Sequence, residues 1–298
     1  MIYVFGCSMC NWHWPTWVDW LSAYGKKVKK LSYTGYGSQN LYWHLLEHID
    51  GITKDDSVIM LWPSNHRIMQ WYDQEWIATR DVWGFFPNEQ GELWHTSDLP
   101  WTGLYRTHPD YQQSLTQGII DNLNLPYQCQ LLLEQRGIKY TMGYTQNVWL
   151  DVRPKYKPEF QVTYKDRNKI SDQELELANN IISMPPINKL MNKINWNNFI
   201  DVGNPFNPKE YSGIWEYFIS KKEYVIYKHE NDQHPCPLAH HDYALEKILG
   251  IDPIENGTLR KLAEQISADC MDMEIPPMDF IGGPSDDLLL SKYKDQLV

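Results

Sequence analysis

The sequence predicts an α/β fold with a central parallel sheet. Short, unbroken apolar and β-prone runs recur, the clearest at 2–5 and 57–61, and each ends directly in a polar turn. Runs of this kind are typical of strands buried on both faces of a parallel sheet. Segments with helical spacing follow the turns, and strand, turn and helix in that order form the repeating unit of an α/β fold.

The first part of the chain contains three predicted strands, with a predicted helix after each of the first two. In chain order they comprise a strand at 2–5, a helix from Pro15 to Gly25, a strand reaching Leu31, a helix through Leu41, Leu45 and Ile49, and a strand at 57–61. The turns after the strands are 6–10, 32–40 and 62–67. Since ligands bind outside the carboxyl ends of the strands in such sheets, Ser8 in the first turn is the first candidate for a working side chain.

The second half is less regular. The tryptophans, prolines and acidic residues at 70–111 follow no helical or strand period, which predicts an irregular insertion. A second insertion is predicted at 147–222, which is polar, contains several prolines and has short helical stretches. Between them we expect a helix over 114–136, kinked or split by Pro126, and a strand at 138–143. The sequence further predicts a short strand at 224–227 and a helix ending at Gly250.

These elements predict a three-layer α/β/α sandwich of the flavodoxin-like kind with a central parallel sheet, plus the aromatic-rich insertion. We expect one domain over 1–250, with insertions at about 70–111 and 147–222, and a C-terminal helix with a loosely packed tail over 251–298.

Charge and composition narrow the function classes. The formal net charge is −11, so a nucleic acid held by phosphate neutralisation and an anionic membrane surface are both disfavoured as partners. No apolar run approaches the roughly 18 residues that span a bilayer, and no signal peptide is recognisable, which predicts a cytoplasmic protein. Five cysteines, an odd number, indicate reduced thiols.

Four short blocks carry a functional signal when they are taken together. They are Gly6-x-Ser8 after the first strand, Gly37 after the second, Asn65 after the third, and Asp232-x-His234-Pro235 before the last helix of the sandwich. In this order and on these elements they resemble the blocks of the SGNH hydrolases, also called GDSL-type lipases and esterases.

The resemblance implies an ester-hydrolysing site. Ser8 would be the nucleophile, His234 its general base, and Asp232 the acid that orients the imidazole. The backbone N–H of Ser8, the N–H of Gly37 and the side chain of Asn65 would form the oxyanion hole. Such a triad requires no cofactor, and no metal ligand is assigned.

Two positions depart from the family pattern. Cys7 stands where an aspartate usually precedes the serine, and Asn231 stands where the acid most often lies, three residues before the histidine. Asp232 is the nearest carboxylate, but which acid orients His234 stays open.

The surroundings suggest the substrate class. His66 and Arg67 follow Asn65 and would add positive charge to the pocket, and Trp71 begins the aromatic insertion, so these three are candidate substrate-binding residues. The leading substrate is an O-acetylated glycan, with small-molecule esters as the broader class. The tryptophans suit sugar stacking, but a small core or a subunit contact in a homo-oligomer explains them equally well.

Other functions compete. Cys7-Ser8-Met9-Cys10 has the C-x-x-C spacing of a thiol redox site, and with Cys236 and a histidine it fits a Cys3His zinc site. A further alternative is a catalytically silent SGNH-like binding protein or structural protein of a virus particle, since stand-alone chains of this kind resemble phage-encoded members. His240 and His241 are interpreted as a solvated or capping pair without a direct role.

Overall fold

The computed structural model describes residues 1–12, 14–33, 36–63, 68–72, 75–79, 86–87, 93–94, 115–149, 172–200, 202–210, 213–220, 234–255, 257–271 and 293. Its helices and strands, in chain order, are β1 (Ile2–Gly6), α1 (Trp17–Ala23), β2 (Val28–Ser32), α2 (Ser38–His48), β3 (Ser57–Trp62), β4 (Ile68–Tyr72), β5 (Glu75–Thr79), β6 (Phe86–Pro87), β7 (Leu93–Trp94), α3 (Leu115–Gln135), β8 (Lys139–Tyr144), α4 (Asp172–Ser183), α5 (Pro185–Met191), α6 (Ile214–Ser220), α7 (Pro237–Tyr243) and α8 (Gly257–Met271). Short 3-10 turns lie at Ile49–Gly51, Trp196–Asn198 and Pro253–Glu255, and a π-helical turn, Ala244–Leu249, extends α7.

The central sheet contains four parallel strands in the order β2-β1-β3-β8. In the register, Ile2 lies opposite Val28 on one side and Ser57 on the other, and Ser57 lies opposite Lys139. The strand order changes direction between β1 and β3, because the chain passes from β1 to β2 and then back across to β3. In sheets of this type the crevice at such a switch point is the usual ligand site.

Helices cover both faces of the sheet, and the strands alternate between two hydrophobic cores. Phe5 and Met60 belong to the core under α2 and α3, whereas Val4 and Ile59, their neighbours in sequence, belong to the core under α1, α7 and α8. Burial on both faces explains why these strands are continuously apolar. The predicted three-layer α/β/α sandwich with a parallel sheet is therefore confirmed.

Several details differ from the sequence-based expectation. Helix α3 is not split at Pro126 but runs as one element through it. Leu123, Cys129 and Leu133, on both sides of the proline, are fully buried, and their packing offsets the lost backbone hydrogen bond. In the region of the first insertion, β4 pairs with β5 and β6 with β7 in antiparallel hairpins.

The strand expected at 224–227 lies outside the described residues.

The helix after residue 250, α8, packs into one of the two hydrophobic cores of the sandwich. In α8, Ala263, Ile266 and Cys270 are buried in the same core as α1 and α7. Tyr293 is also buried, and its hydroxyl donates to the Asp269 carboxylate. The expected helix is thus present, and the tail contributes at least one buried residue, Tyr293.

Within the described part of the chain, none of the helices combines the length and the apolar character needed to cross a bilayer.

Candidate functional site

Ser8 lies in the turn that follows β1, at the carboxyl edge of the sheet and beside the β1/β3 switch point. The turn is closed by backbone hydrogen bonds from Cys10 N to Cys7 O (2.9 Å) and from Asn11 N to Ser8 O (3.3 Å). Ser8 is 2% exposed, and its Oγ has no hydrogen-bond partner among the described residues. A buried hydroxyl without a partner costs roughly 1–3 kcal/mol, which makes this oxygen a feature that needs an explanation.

Polar contacts hold the turn against the end of β2. The Asn11 amide donates to Ser32 O at 2.9 Å, and Lys30 Nζ donates to Asn11 Oδ1 at 3.4 Å. Lys30 also pairs with Asp19 at the start of α1, at 2.8 Å. The turn that carries Ser8 is therefore held against β2, with the Lys30 ammonium close to it.

His234 is held by the segment that follows Ser8. Its ring stacks on the Trp12 ring, with centroids 3.5 Å apart and planes inclined by 19°. The indole N–H of Trp14 donates to Pro235 O at 2.8 Å, and that of Trp20 donates to Pro237 O at 3.2 Å. Three buried tryptophans thus attach the His234 block to the chain directly after the serine turn. Two of the four sequence blocks are brought to the same region of the fold.

Gly37 immediately precedes α2, as expected, and is buried. Its N–H, which the resemblance assigns to the oxyanion hole, donates to the Asn40 side-chain oxygen at 3.2 Å. That bond caps the helix N-terminus, where backbone N–H groups need partners. For Gly37 to stabilise an oxyanion, it would have to exchange this partner for the substrate.

Four other predicted site residues lie outside the part of the chain that the structure describes. They are Asn65, His66, Arg67 and Asp232. Trp71 has a described backbone in β4, where it pairs with Trp76 of β5, but its side chain is not described.

The expectation for His240 and His241 as a solvated or capping pair is wrong. Both are completely buried in α7. The His240 ring packs against Phe218 of α6, with 5.3 Å between ring centroids. The His241 ring packs against Trp20 of α1, with 5.1 Å between ring centroids. The helix packs on several sides, so its polar residues are buried along with its apolar ones.

His240 is a neutral imidazole in the interior. Neither ring nitrogen has a hydrogen-bond partner among the described residues. Burial lowers the pKa of His240 to about 3, with further lowering from the charges of His234 and Lys30.

His241 belongs to a separate buried polar network. Its Nδ1 lies 2.7 Å from Asp242 Oδ1, and its Nε2 lies 2.9 Å from the Tyr24 hydroxyl. Arg260 of α8 approaches the other Asp242 oxygen at 3.6 Å. Burial and the Asp242 charge raise the pKa of Tyr24 to about 12, so the tyrosine keeps its proton and can donate it to Nε2. The network joins the end of α1 to α7 and α8.

Among the described residues, none of the cysteines belongs to a group with metal-ligand spacing. All five are buried and carry free thiols. The pKa of Cys10 is raised well above its usual value, first by burial and then by Cys7, which disfavours a reactive thiolate. Among the described residues, the group with metal-ligand spacing is instead His44, Glu47 and His48 on α2.

Sequence reasoning missed two features of this region. The first is that Trp12, Trp14 and Trp20 hold the His234 segment. No local sequence pattern predicts these contacts, because their partners lie more than two hundred residues away in sequence. The second is the group of His44, Glu47 and His48 on α2. A local pattern does predict it, since His44-x-x-Glu47-His48 places two histidines four residues apart on a helix.

Comparison of the chain with protein-family models and with curated proteins found no match.

Proposed function

We propose that the protein is a serine-dependent ester hydrolase of the SGNH type, with Ser8 as the nucleophile and His234 as the general base. The observation that carries the proposal is the buried Ser8 hydroxyl without a described partner, in a turn at the switch point of a parallel sheet. Trp12 follows Ser8 by four residues, and the stacking of the His234 ring on Trp12 supports the assignment of Ser8 and His234 to one site.

The chemistry follows the usual acyl-transfer sequence. Ser8 Oγ attacks the ester carbonyl while its proton passes to His234, and a bond forms between Oγ and the acyl carbon. The imidazolium then protonates the departing alkoxide as the carbon–oxygen bond of the ester breaks. Water, deprotonated by His234, attacks the acyl-enzyme and releases the carboxylic acid and free Ser8. Asp232 would hold the imidazole, and the N–H groups of Ser8 and Gly37 with the Asn65 amide would stabilise the oxyanion.

For the substrate we propose an O-acetyl ester of a glycan. The support is the aromatic-rich insertion directly after β3, since a segment that leaves the carboxyl end of that strand passes near the crevice. His66, Arg67 and Trp71 are the proposed contacts with the substrate. We place the enzyme in the cytoplasm of the producing cell, with attachment to a virus particle as the alternative that cell and particle fractionation would distinguish.

A fluorophosphonate probe tests the nucleophile. We expect stoichiometric labelling of the wild-type chain, peptide mapping of the adduct to the turn that contains Ser8, and no labelling of Ser8→Ala. Ser32→Ala is the matched control, because Ser32 is a second buried serine at the end of the adjacent strand. An unlabelled wild-type protein, or equal labelling of a folded Ser8→Ala variant, would reject the proposal.

The acid is tested separately. Asp232→Asn is expected to lower turnover of p-nitrophenyl acetate by roughly 10⁴-fold, because the imidazole then rests in the wrong tautomer. Asn231→Ala and Glu230→Gln serve as controls and are expected to have much smaller effects. Turnover near the wild-type value in Asp232→Asn would assign the acid to another segment or leave a Ser-His dyad.

Two observations favour the alternative of a silent SGNH-like binding or structural protein. Gly37 N–H is already bonded to Asn40, and Ser8 is almost inaccessible. A protein that binds acetylated glycans in a pull-down but reacts with no fluorophosphonate would have this second function.

A further inference from the structure

The second half of helix α2 carries three metal-ligand side chains that the proposed ester hydrolysis does not use. His44 and His48 are four residues apart, so both lie on one face of the helix, and Glu47 is adjacent to them. One ligand atom from each residue lies within 4.8 Å of those of the other two. Two histidines four residues apart on a helix are typical of helical zinc sites, and the measured spacing adds Glu47 as a third possible ligand.

The hydrogen bond of His48 fixes which nitrogen is available. Its Nδ1 lies 3.1 Å from the backbone oxygen of His44. Because a carbonyl oxygen only accepts, Nδ1 carries the proton in neutral His48 and Nε2 has the lone pair. A backbone carbonyl that orients a histidine in this way is the common supporting contact of metal-binding imidazoles.

His44 supplies a second, buried imidazole. It is more than nine-tenths buried, and its Nδ1 has no hydrogen-bond partner among the described residues. Rings of Phe5, Tyr33 and Tyr36 surround it with centroids 5.4–5.9 Å away, which fixes its orientation. The His48 ring meets it edge-on, at 4.7 Å between centroids and 87° between planes.

Glu47 adds the negative charge. Its Oε2 lies 3.9 Å from His44 Nε2, and its side chain is 62% exposed, so it can rotate toward an ion without disturbing the core. The group also lies in the last turn of α2, where the backbone carbonyls of the helix end favour a cation. Lys29 is the nearby positive charge that opposes binding, and Glu47 offsets it.

We propose that His44, Glu47 and His48 bind one divalent transition-metal ion of the zinc class. Two imidazoles and a carboxylate are ligands that zinc accepts in tetrahedral geometry, with a fourth position open to water. Ligands at about 2.0–2.2 Å from zinc lie roughly 3.4 Å from one another, so the present spacing needs a small contraction on metal binding. Gly37 immediately precedes the other end of the same helix.

Titration of the untagged full-length chain with Zn²⁺, after removal of bound metal by a chelator, tests the proposal. By isothermal titration calorimetry we expect one equivalent of Zn²⁺ to bind wild type, and His48→Gln and Glu47→Gln each to weaken binding at least about tenfold. Zn²⁺ should also raise the Tm of wild type more than that of either variant.

Glu264→Gln is the matched control, because Glu264 is an exposed glutamate on another helix. It is expected to bind Zn²⁺ like wild type. Failure of wild type to bind a full equivalent, or unchanged affinity in folded Glu47→Gln and His48→Gln, would overturn the proposal. None of these outcomes depends on esterase activity.

Discussion

The ring of Trp12 lies flat on the ring of His234, with 3.5 Å between their centroids. Trp12 is buried and follows Ser8 by four residues, whereas His234 comes from the far end of the domain. The indole is therefore the contact that fixes the plane of the proposed general base with respect to the serine turn.

Replacing Trp12 should impair the proposed chemistry through the position of His234. We expect Trp12→Leu to slow fluorophosphonate labelling of Ser8 by about 10²-fold, since small misplacements of a catalytic group have effects of this size. Trp12→Phe keeps an aromatic face and should stay within a few-fold of wild type. Trp43→Leu, at a 47% exposed tryptophan on α2, is the control. Equal labelling rates for Trp12→Leu and Trp12→Phe would contradict a stacking role.

Gly6 is required by close packing at the serine turn. A Cβ at position 6 would lie 2.3 Å from the Sγ of buried Cys10. Gly6→Ala is thus expected to destabilise the fold by about 1–3 kcal/mol in denaturant unfolding, and the added change Cys10→Ala should recover part of the loss. Gly51→Ala is the control, because a Cβ at position 51 meets nothing within 4 Å. Equal stability of Gly6→Ala and Gly51→Ala would show that the turn can relax.

Asp242 holds a buried network together. It contacts His241 at 2.7 Å and Arg260 at 3.6 Å, and it is almost inaccessible to solvent. Removing one partner of a buried ionic contact typically costs 3–5 kcal/mol, so we expect Asp242→Ala to reduce the free energy of unfolding by about that amount. Glu264→Gln removes the other, exposed partner of Arg260 and should cost no more than about 1 kcal/mol. Similar losses in the two variants would mean that burial of Asp242 has little energetic effect.

The buried His240 makes stability depend on pH. Its pKa is about 3 in the folded protein, against an ordinary value near 6.5, so the unfolded chain binds the extra proton between these values. The contribution of neutral His240 to stability is therefore present above about pH 6.5 and is lost as the pH falls toward 3. At pH 5 the loss is about 2 kcal/mol.

His240→Leu should remove this dependence. We expect the variant to lose less stability than wild type between pH 7 and pH 5, with a slope that is smaller by up to one proton, in urea unfolding at several pH values. His48→Leu, at a partly exposed histidine, is the comparison. An unchanged slope in His240→Leu would show that the imidazole titrates normally in the folded state.

The sequence by itself determined the α/β sandwich and the position of Ser8 within it. Strands such as β1 and β3 are continuously apolar because both of their faces are buried, and that pattern is local in the chain. A serine directly after such a strand must lie at the carboxyl edge of the sheet. The helical spacing of Leu41 and Leu45 likewise located α2 before any contact was known.

Only the tertiary structure decided how the distant parts of the candidate site meet. Trp14 and Trp20 bond to backbone oxygens 221 and 217 residues away, and no local pattern encodes such pairs. The burial of His240 and His241 depends on the packing of α1, α6 and α8 in the same core as α7, which a single helix cannot reveal. Pro126 remains inside a continuous helix for the same reason, because the free energy of packing, shared among elements far apart in sequence, outweighs a local conformational preference.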